Sequence, residues 1–261
     1  MSTGRVSQPN MLDLAGDEPI ILVGEPKSLR GELRLRNPTQ DKITLREAYL
    51  RLHQPDSDQP ALFVQVALSA TLQPDQAQQV KFTLDIDRHT PPGEYQGELK
   101  IAGHTHPVIA HITEVVRLTL SPQSLVIDQG AGTTVVKRVV LGNEGNVPLT
   151  IGRIGRVVLG QELLLRRSMS ATVAAAGEKP TRPLEKFFAE LIRDEAKTIL
   201  SEVGFLEVSN LANSVVLQPG EVRPLDLEIR LPEKLEAASR YIGRVPLYTS
   251  DLEFIVVPVA D

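Results

Sequence analysis

The sequence lacks both cysteine and tryptophan, and aromatic residues make up only 4% of its 261 residues. Without cysteine, neither disulfide bonds nor thiol chemistry can operate, and a zinc site would need histidines and carboxylates alone. With so few aromatic side chains, a stacking surface for sugars or for single-stranded nucleic acid is poorly supported. The length still suits two domains of ordinary size, and each of them can bury a core without disulfides.

Long apolar runs and a strong charge of either sign are also missing. No apolar run approaches the roughly 20 residues that span a bilayer, and the start of the chain is polar, without the apolar core of a signal peptide. The formal net charge of −5 gives a mildly acidic surface, which does not attract phosphate backbones. The sequence therefore predicts a cytoplasmic protein that neither inserts into a membrane nor binds nucleic acid.

Enzyme motifs are missing as well. The sequence contains no Gly-x-Ser-x-Gly elbow, no phosphate-binding loop and no dinucleotide fingerprint. Carboxylates are plentiful, but they fall on the polar faces of predicted strands, and no two of them pair in a predicted cleft. We therefore predict a non-enzymatic protein with no catalytic residue and no cofactor.

Two groups of side chains are candidate metal ligands. His104 and His106, with His111 nearby, fall on one side of a predicted strand, so a metal pair is geometrically possible, although nothing identifies a third and a fourth zinc ligand. Gly103 before them indicates a hairpin tip, where histidines are simply solvated. The aspartates have the wrong spacing for an EF-hand loop and are expected to be solvated in turns; they are Asp56, Asp58, Asp85 and Asp87.

What the sequence does contain is an internal repeat. Leu72-Gln73-Pro74 recurs 145 positions later as Leu217-Gln218-Pro219, and the strictly alternating segment 80–86 recurs at the same separation as 225–231. A Tyr-x-Gly follows each copy, at Tyr95 and Tyr241, with one further residue of separation. Alternation with period two predicts half-buried strands, so one β module is used twice.

The two copies are not equivalent. The alternating strand that ends at Leu35 corresponds to the one that ends at Leu141, a separation of only 106 positions, so the second copy carries about 39 extra residues (145 less 106) before its Leu-Gln-Pro. Insertions of this size are tolerated in loops because loop-closure entropy grows slowly with length. We place the insertion at about 160–204.

The predicted organisation is all-β, with two tandem immunoglobulin-like β-sandwiches. Residues 1–16 form a disordered N-terminal tail, residues 17–117 the first sandwich and residues 118–261 the second. About seven strands are predicted per module, at 18–24, 29–36, 43–52, 61–70, 79–87, 94–102 and 106–117, and then at 119–127, 133–141, 147–157, 205–209 with 213–217, 223–231, 240–248 and 251–259. Tyr95 and Tyr241 are each either a tyrosine corner, whose hydroxyl is tied to the backbone, or an ordinary half-buried strand residue.

Within the insertion, an amphipathic helix is predicted at about 183–203. Apolar residues recur there at helical spacing, Pro183 suits the first turn and Gly204 the end. The helix either packs on its own sandwich or binds a protein partner in a groove, and its acidic polar face makes a membrane-surface role the weakest alternative. The candidate partner-binding residues are the apolar positions Leu184, Phe187, Phe188, Leu191, Ile192 and Ile199.

The motifs of the first copy resemble those of bacterial immunoglobulin-like and fibronectin-like modules, including the adhesion-related type. The resemblance rests on Leu33-x-Leu35-x-Asn37, on Leu72-Gln73-Pro74, and on the corner Pro92-Gly93-x-Tyr95-x-Gly97. It covers both modules but not residues 160–204, and the second copy replaces the Pro-Pro-Gly-Glu of the corner with 235–240. Such modules occur in surface proteins, and similar sandwiches occur as subunits of phage-like or contractile particles.

These observations predict a structural or adaptor protein that binds one or more protein partners in a larger assembly, with the oligomeric state open. The glycine-free join 115–122 predicts a stiff spacer between the modules. The alternatives are an adhesion-type module that binds glycans or small ligands through loops at one end of a sandwich, and an enzyme that uses the insertion as a lid.

Overall fold

The structure, a computed structural model, describes residues 13–14, 18–55, 57, 60–161, 204–211, 214–237 and 239–259. The chain divides into two compact units. Unit 1 is Met1–Val115 with Gly145–Val147, and unit 2 is Val116–Glu144 with Pro148–Asp261. Over the described residues the one helix is a 3-10 turn at Pro26–Ser28. The helix predicted at about 183–203 lies outside the described residues.

In unit 1 the part of the chain that the structure describes forms eight strands, most of which alternate between buried and exposed residues. They are β1 (Asp13–Leu14), β2 (Ile20–Gly24), β3 (Leu29–Arg36), β4 (Ile43–His53), β5 (Leu62–Leu72), β6 (Ala77–Leu84), β7 (Gly93–Ile101) and β8 (His104–Ile112). The order in the sheet is β1-β3-β2-β8-β7-β4-β5, and β6 pairs with the other side of β3. The strand β2 runs antiparallel to β3 and parallel to β8, so it joins the two halves of the sheet. Inward side chains of both halves meet in one hydrophobic core.

The described residues of unit 2 form ten strands. They are β9 (Leu118–Ser121), β10 (Ser124–Ile127), β11 (Thr134–Asn143), β12 (Leu149–Ile151), β13 (Gly155–Gln161), β14 (Gly204–Asn210), β15 (Val215–Leu217), β16 (Val222–Arg230), β17 (Tyr241–Leu247) and β18 (Ser250–Val256). Eight of them lie in the order β10-β18-β17-β13-β14-β16-β11-β9, and β12 pairs with β15 alone. The first two strands of unit 2 join opposite ends of this order, because β9 pairs with β11 and β10 runs parallel to β18.

The all-β, sandwich-like prediction is confirmed, and four details of it are corrected. Asp13 and Leu14 lie in the tail predicted as disordered, but they pair with the end of β3, where backbone groups beyond β2 need partners. The strand predicted at 106–117 ends at Ile112. The strand predicted at 119–127 is two strands, because β9 pairs with β11 whereas β10 pairs with β18. The strand predicted at 147–157 is likewise divided into β12 and β13.

The repeated Leu-Gln-Pro is a tight turn in both units. The backbone N–H of Gln76 donates to the carbonyl of Gln73 at 3.1 Å, and the N–H of Glu221 donates to the carbonyl of Gln218 at 2.9 Å. The third residue of each turn has a positive φ, 57° at Asp75 and 78° at Gly220. Proline second and a positive φ third define a type II turn. The turn chemistry therefore explains why this motif is repeated.

The positive φ at the third turn position makes a prediction. Gly220→Ala is expected to destabilise unit 2 by about 1 kcal/mol, because alanine pays a steric cost in the left-handed region. Gly220→Asp should cost less, since aspartate tolerates this conformation better and occupies the equivalent position 75 in unit 1. Urea unfolding of the three proteins measures this; an equal or larger loss for aspartate would contradict it.

A buried asparagine ties the same turn to the end of a strand in each unit. Asn37 is fully buried, and its Nδ2 lies 3.2 Å from the carbonyl oxygen of Leu72. Asn143, which is 2% exposed, makes the same bond to the carbonyl of Leu217 at 3.0 Å. The pairs have the two separations of the repeat, 106 for the asparagines and 145 for the leucines. The asparagine therefore joins the two parts of the repeat that the sequence shows at different separations.

Both repeated tyrosines are tyrosine corners, so the first of the two interpretations is confirmed. The hydroxyl of Tyr95 donates to the carbonyl of Pro91 at 3.0 Å, and burial raises the pKa of Tyr95. In unit 2 the polarity is reversed, because the N–H of Glu236 donates to the hydroxyl of Tyr241 at 3.0 Å. The tie spans four residues in unit 1 and five in unit 2, which accounts for the one-residue shift in the separation.

Candidate functional site

The residues predicted to bind a partner lie outside the described residues. They are Leu184, Phe187, Phe188, Leu191, Ile192 and Ile199. The structure does locate the base of the insertion: β13 and β14 pair directly, with Leu159 opposite Gly204. The insertion therefore begins and ends at neighbouring positions of two paired strands.

One surface of unit 1 stands out by its charge. The exposed residues of β3 are Arg30, Glu32, Arg34 and Arg36, and they lie beside the exposed Lys81 of β6. We call the outer side of β3 and β6 the cationic face. These five residues carry four positive charges and one negative charge, in a chain whose formal net charge is −5. The cationic face is therefore a local departure from the acidic average, suited to anionic side chains.

The single carboxylate on the cationic face is already engaged. The ammonium of Lys81 lies 3.0 Å from a carboxylate oxygen of Glu32, and the side-chain amide of Gln79 also donates to Glu32. The hydrogen bond from Lys81 is the main reason that the pKa of Glu32 is lowered. Among the arginines, Arg36 lies 3.9 Å from Asp75. The carboxylate of Glu32 thus neutralises Lys81 and leaves Arg30 and Arg34 as the main positive charges of the face.

The corresponding surface of unit 2 has the same ion pair with its charges exchanged. By the two separations of the repeat, Glu32 corresponds to Arg138 and Lys81 to Asp226. The guanidinium of Arg138 holds the carboxylate of Asp226 through two bonds, of 2.6 and 2.9 Å. The hydrogen bond is the largest cause of a lowered pKa for Asp226 and of a raised pKa for Arg138.

Around this pair, unit 2 is apolar where unit 1 is basic. Val136 and Val140 take the places of Arg30 and Arg34, and they are 57% and 37% exposed. Val222, at the start of β16, is 68% exposed on the same strand pair. We call the outer side of β11 and β16 the apolar face. The two copies therefore share turns, corners and core positions but present different chemistry to solvent.

The exchanged ion pair gives a pH prediction. Because the pKa of Asp226 is lowered on folding, its contribution to stability is present above the unfolded-state value of about 3.9 and is lost as pH falls through the folded value. The urea midpoint of wild type should exceed that of Asp226→Asn at neutral pH, and the two should converge in acid. A constant difference across this range would show that the carboxylate charge is not the cause.

The edges of the two equivalent strands also differ. In unit 2, β14 pairs with the side of β16 that faces away from β11, with Glu207 opposite Arg230 and Asn210 opposite Leu227. In unit 1, no strand in the described part of the chain pairs with the corresponding side of β6. We call this side the open edge of β6. Unpaired strand edges are sites where another extended chain can add.

A second exposed group in unit 1 is aromatic. Phe63 on the outer strand β5 is 76% exposed, and the guanidinium of Arg51 lies 5.6 Å from the centre of its ring. Tyr49 is 54% exposed on the same face, and the negative charge of Glu47 raises its pKa. The guanidinium of Arg51 stacks on the exposed ring of Phe63, so this ring already has a contact within unit 1.

Unit 2 has a shallow depression of about 270 Å³ between β12 and the β17–β18 turn. It is lined by Thr150, Ile151, Gly152, Arg153, Ile154, Val245, Pro246, Leu247 and Tyr248. The hydroxyl of Tyr248 lies 3.0 Å from both the N–H and the carbonyl of Thr150, so it occupies the outer backbone groups of β12. The depression holds no convergent set of charged groups, and it is smaller than most small-molecule sites.

The metal candidates are placed apart. His104 and His106 do share one side of β8, as the alternation predicts, and the ring of His106 lies 2.8 Å from the carbonyl oxygen of Glu18. His111 lies on the other side of the strand, near Glu94. Asp85 pairs with Lys27, and Asp87 accepts a bond from the N–H of His89, while Asp56 and Asp58 lie outside the described residues. Across the described residues, no three metal-binding side chains come together.

Sequence comparison identifies no relative: no protein-family model and no curated protein matches the chain. Solved structures with some likeness include a protein of unknown function from Porphyromonas gingivalis W83, at 12% identity and a TM-score of 0.24, with 95% of this chain and 99% of that chain covered. A titin fragment, A168169, matches at 10% identity and a TM-score of 0.31, with 96% and 99% covered. Escherichia coli alpha-2-macroglobulin matches at 13% identity and 0.23, and this match covers 97% of this chain and 22% of that chain. Likenesses this low carry no argument about function.

No helix among the described residues is long and apolar enough to span a membrane.

Proposed function

We propose that the protein is a non-enzymatic structural or adaptor protein that binds a protein partner within a larger assembly. The observation that carries the proposal is the contrast between the copies. Both keep the type II turn, the buried asparagine and the tyrosine corner, whereas the equivalent outer faces are basic in unit 1 and apolar in unit 2. Different chemistry at equivalent solvent-facing positions suits two different contacts on one scaffold.

The proposal includes the immunoglobulin-like or fibronectin-like type of the two modules and the stiff spacer predicted from the glycine-free join. The strand orders and the two tyrosine corners support the module type. Small-angle scattering tests the spacer, and a broad range of interdomain angles would contradict it.

The test of function uses residues that occupy equivalent positions. In one variant Arg30 and Arg34 become valine, and in the other Val136 and Val140 become arginine, so that each face acquires the chemistry of the other. All four positions are exposed, so the urea midpoints should stay close to wild type.

At natural abundance, native mass spectrometry should place the wild-type chain in an assembly larger than the chain itself. At least one face variant should leave that assembly. A native mass equal to that of the wild-type chain alone would contradict the proposal. Turnover of a substrate in a broad activity screen would also contradict it.

A further inference from the structure

The open edge of β6 corresponds to an edge that is filled in unit 2. There, β14 runs antiparallel to β16, and the ladder continues through a bond of 3.3 Å from the N–H of Leu211 to the carbonyl of Asp226. The residues of β16 that β14 covers, 227–230, correspond to residues 82–85 by the separation of the repeat. The second unit therefore shows what type of element this edge accepts, namely an antiparallel strand.

The backbone groups of β6 that face the open edge can be identified. The N–H of Ile86 donates to the carbonyl of Pro26, and the carbonyl of Gln76 accepts from the N–H of Asn37, so both residues face the β3 side. Backbone groups alternate in direction along an antiparallel strand. Gln79, Lys81 and Thr83 therefore point their N–H and C=O groups to the open edge, and their side chains lie on the cationic face.

Burial agrees with an uncovered margin. Val80 and Phe82 of β6 are each 7% exposed, whereas the equivalent Leu225 and Leu227 of β16 are 3% and 0% exposed. An added strand would bring apolar side chains beside Val80 and Phe82. The strand β14 has this pattern, with Leu206 and Val208 buried and Glu207 exposed between them.

The charges of the cationic face determine which side chains suit the other positions of an added strand. Side chains of an added strand that lie directly opposite Lys81 and Thr83 would be on the cationic face, near Arg30 and Arg34 one strand away. The carboxylate of Glu32 is held by Lys81 and Gln79, so the arginines are the cations available to a newcomer. Acidic side chains at alternate positions complement this surface.

We propose that β6 binds an extended segment of a partner protein in which acidic and apolar residues alternate, and that this segment adds antiparallel to the open edge. The apolar side chains extend the core of unit 1, and the acidic ones lie on the cationic face, where Arg30 and Arg34 are the available cations. This inference rests on the proposed adaptor function and names the chemistry of its partner.

The test measures binding of a short fluorescein-labelled peptide of alternating glutamate and valine to the full-length protein by fluorescence anisotropy. Thr83→Pro removes an N–H from the open edge while leaving the bonds to β3 intact, a position at which edge proline is tolerated. Thr83→Ala is the matched control, because it keeps the N–H. A lysine–valine peptide is the control for charge.

The expected result is saturable binding of the acidic peptide that weakens with salt, about tenfold or more weaker binding to Thr83→Pro, and unchanged binding to Thr83→Ala. Replacing Arg30 and Arg34 by glutamine should also weaken binding. Amide exchange of residues 77–84 should slow in the complex.

Equal binding to Thr83→Pro and wild type, equal binding of the lysine peptide, or no binding of the acidic peptide would overturn the inference. Protection of the open edge in the free full-length chain would also overturn it, because a segment of the chain itself would then fill the edge. Cross-linking within the native assembly separates this failure from failure of the adaptor proposal: contacts confined to the apolar face would keep the adaptor function and reject the edge.

Discussion

Gly97→Ala is expected to unfold unit 1, or to destabilise it by roughly 3 kcal/mol or more. A Cβ at this position would lie 1.8 Å from the carbonyl oxygen of Arg51 and 3.0 Å from the Cα of Leu52, both backbone atoms of β4. A backbone atom cannot move aside as a flexible side chain does, so β7 and β4 would have to separate. Urea unfolding followed by circular dichroism measures the loss.

Two further glycines calibrate this prediction. A Cβ added at Gly152 would have no neighbour within 4 Å, so Gly152→Ala should change stability little. Gly243→Ala, at the equivalent position of unit 2, would place its Cβ 3.0 Å from the carbonyl oxygen of Val158 and 2.9 Å from a methyl group of Val157, so its cost should be intermediate. A Gly97→Ala protein as stable as Gly152→Ala would show that β7 does not approach β4 this closely.

Asn37→Ala is expected to cost unit 1 about 3 kcal/mol. The Nδ2 of Asn37 lies 2.7, 3.2 and 3.1 Å from the carbonyl oxygens of Asp41, Leu72 and Gln73, and its Oδ1 accepts from the N–H of Thr39 at 3.0 Å. Alanine removes all of these bonds at once, and the bond to Leu72 is buried, so its loss costs more than that of one exposed bond. Thermal unfolding monitored by circular dichroism measures the change.

The control for the asparagine is its own neighbour. Thr39→Val removes the hydroxyl that bonds to Asn37 Oδ1 at 2.7 Å but keeps the backbone bond. Its cost should be a fraction of that of Asn37→Ala. Equal losses for the two variants would mean that the bonds between Asn37 and the turn after β5 contribute little.

Strand positions could be predicted well because alternation is a local signal. The alternating segments 80–86 and 225–231 correspond to β6 and β16 to within a few residues at either end. The interruptions were not predictable in the same way. Whether a strand is divided at Pro122 depends on the different partners of β9 and β10, and whether Asp13–Leu14 pairs depends on which part of β3 is left uncovered. Both are decided by tertiary pairing.

The cationic and apolar faces could have been predicted from the sequence, but they are absent from the predictions made from it. Aligning the copies at the 106-position separation places Arg30 and Arg34 against Val136 and Val140, which is the signal that distinguishes the faces. The open edge could not be found this way, because nothing in the sequence of β6 tells whether a strand lies beside it. The pairing of β14 with β16 was needed to show that the equivalent edge is filled in one copy and open in the other.

Amide hydrogen exchange of the free protein measures whether the edge of β16 is filled and the edge of β6 is open. In unit 2 the amides of Glu228 and Arg230 face β14 and should exchange slowly. In unit 1 the amides of Lys81 and Thr83 face the open edge and should exchange fast, while those of Val80 and Phe82, which face β3, stay protected. Equal protection of the amides of Lys81, Thr83, Glu228 and Arg230 would show that the edge of β6 is covered as the edge of β16 is.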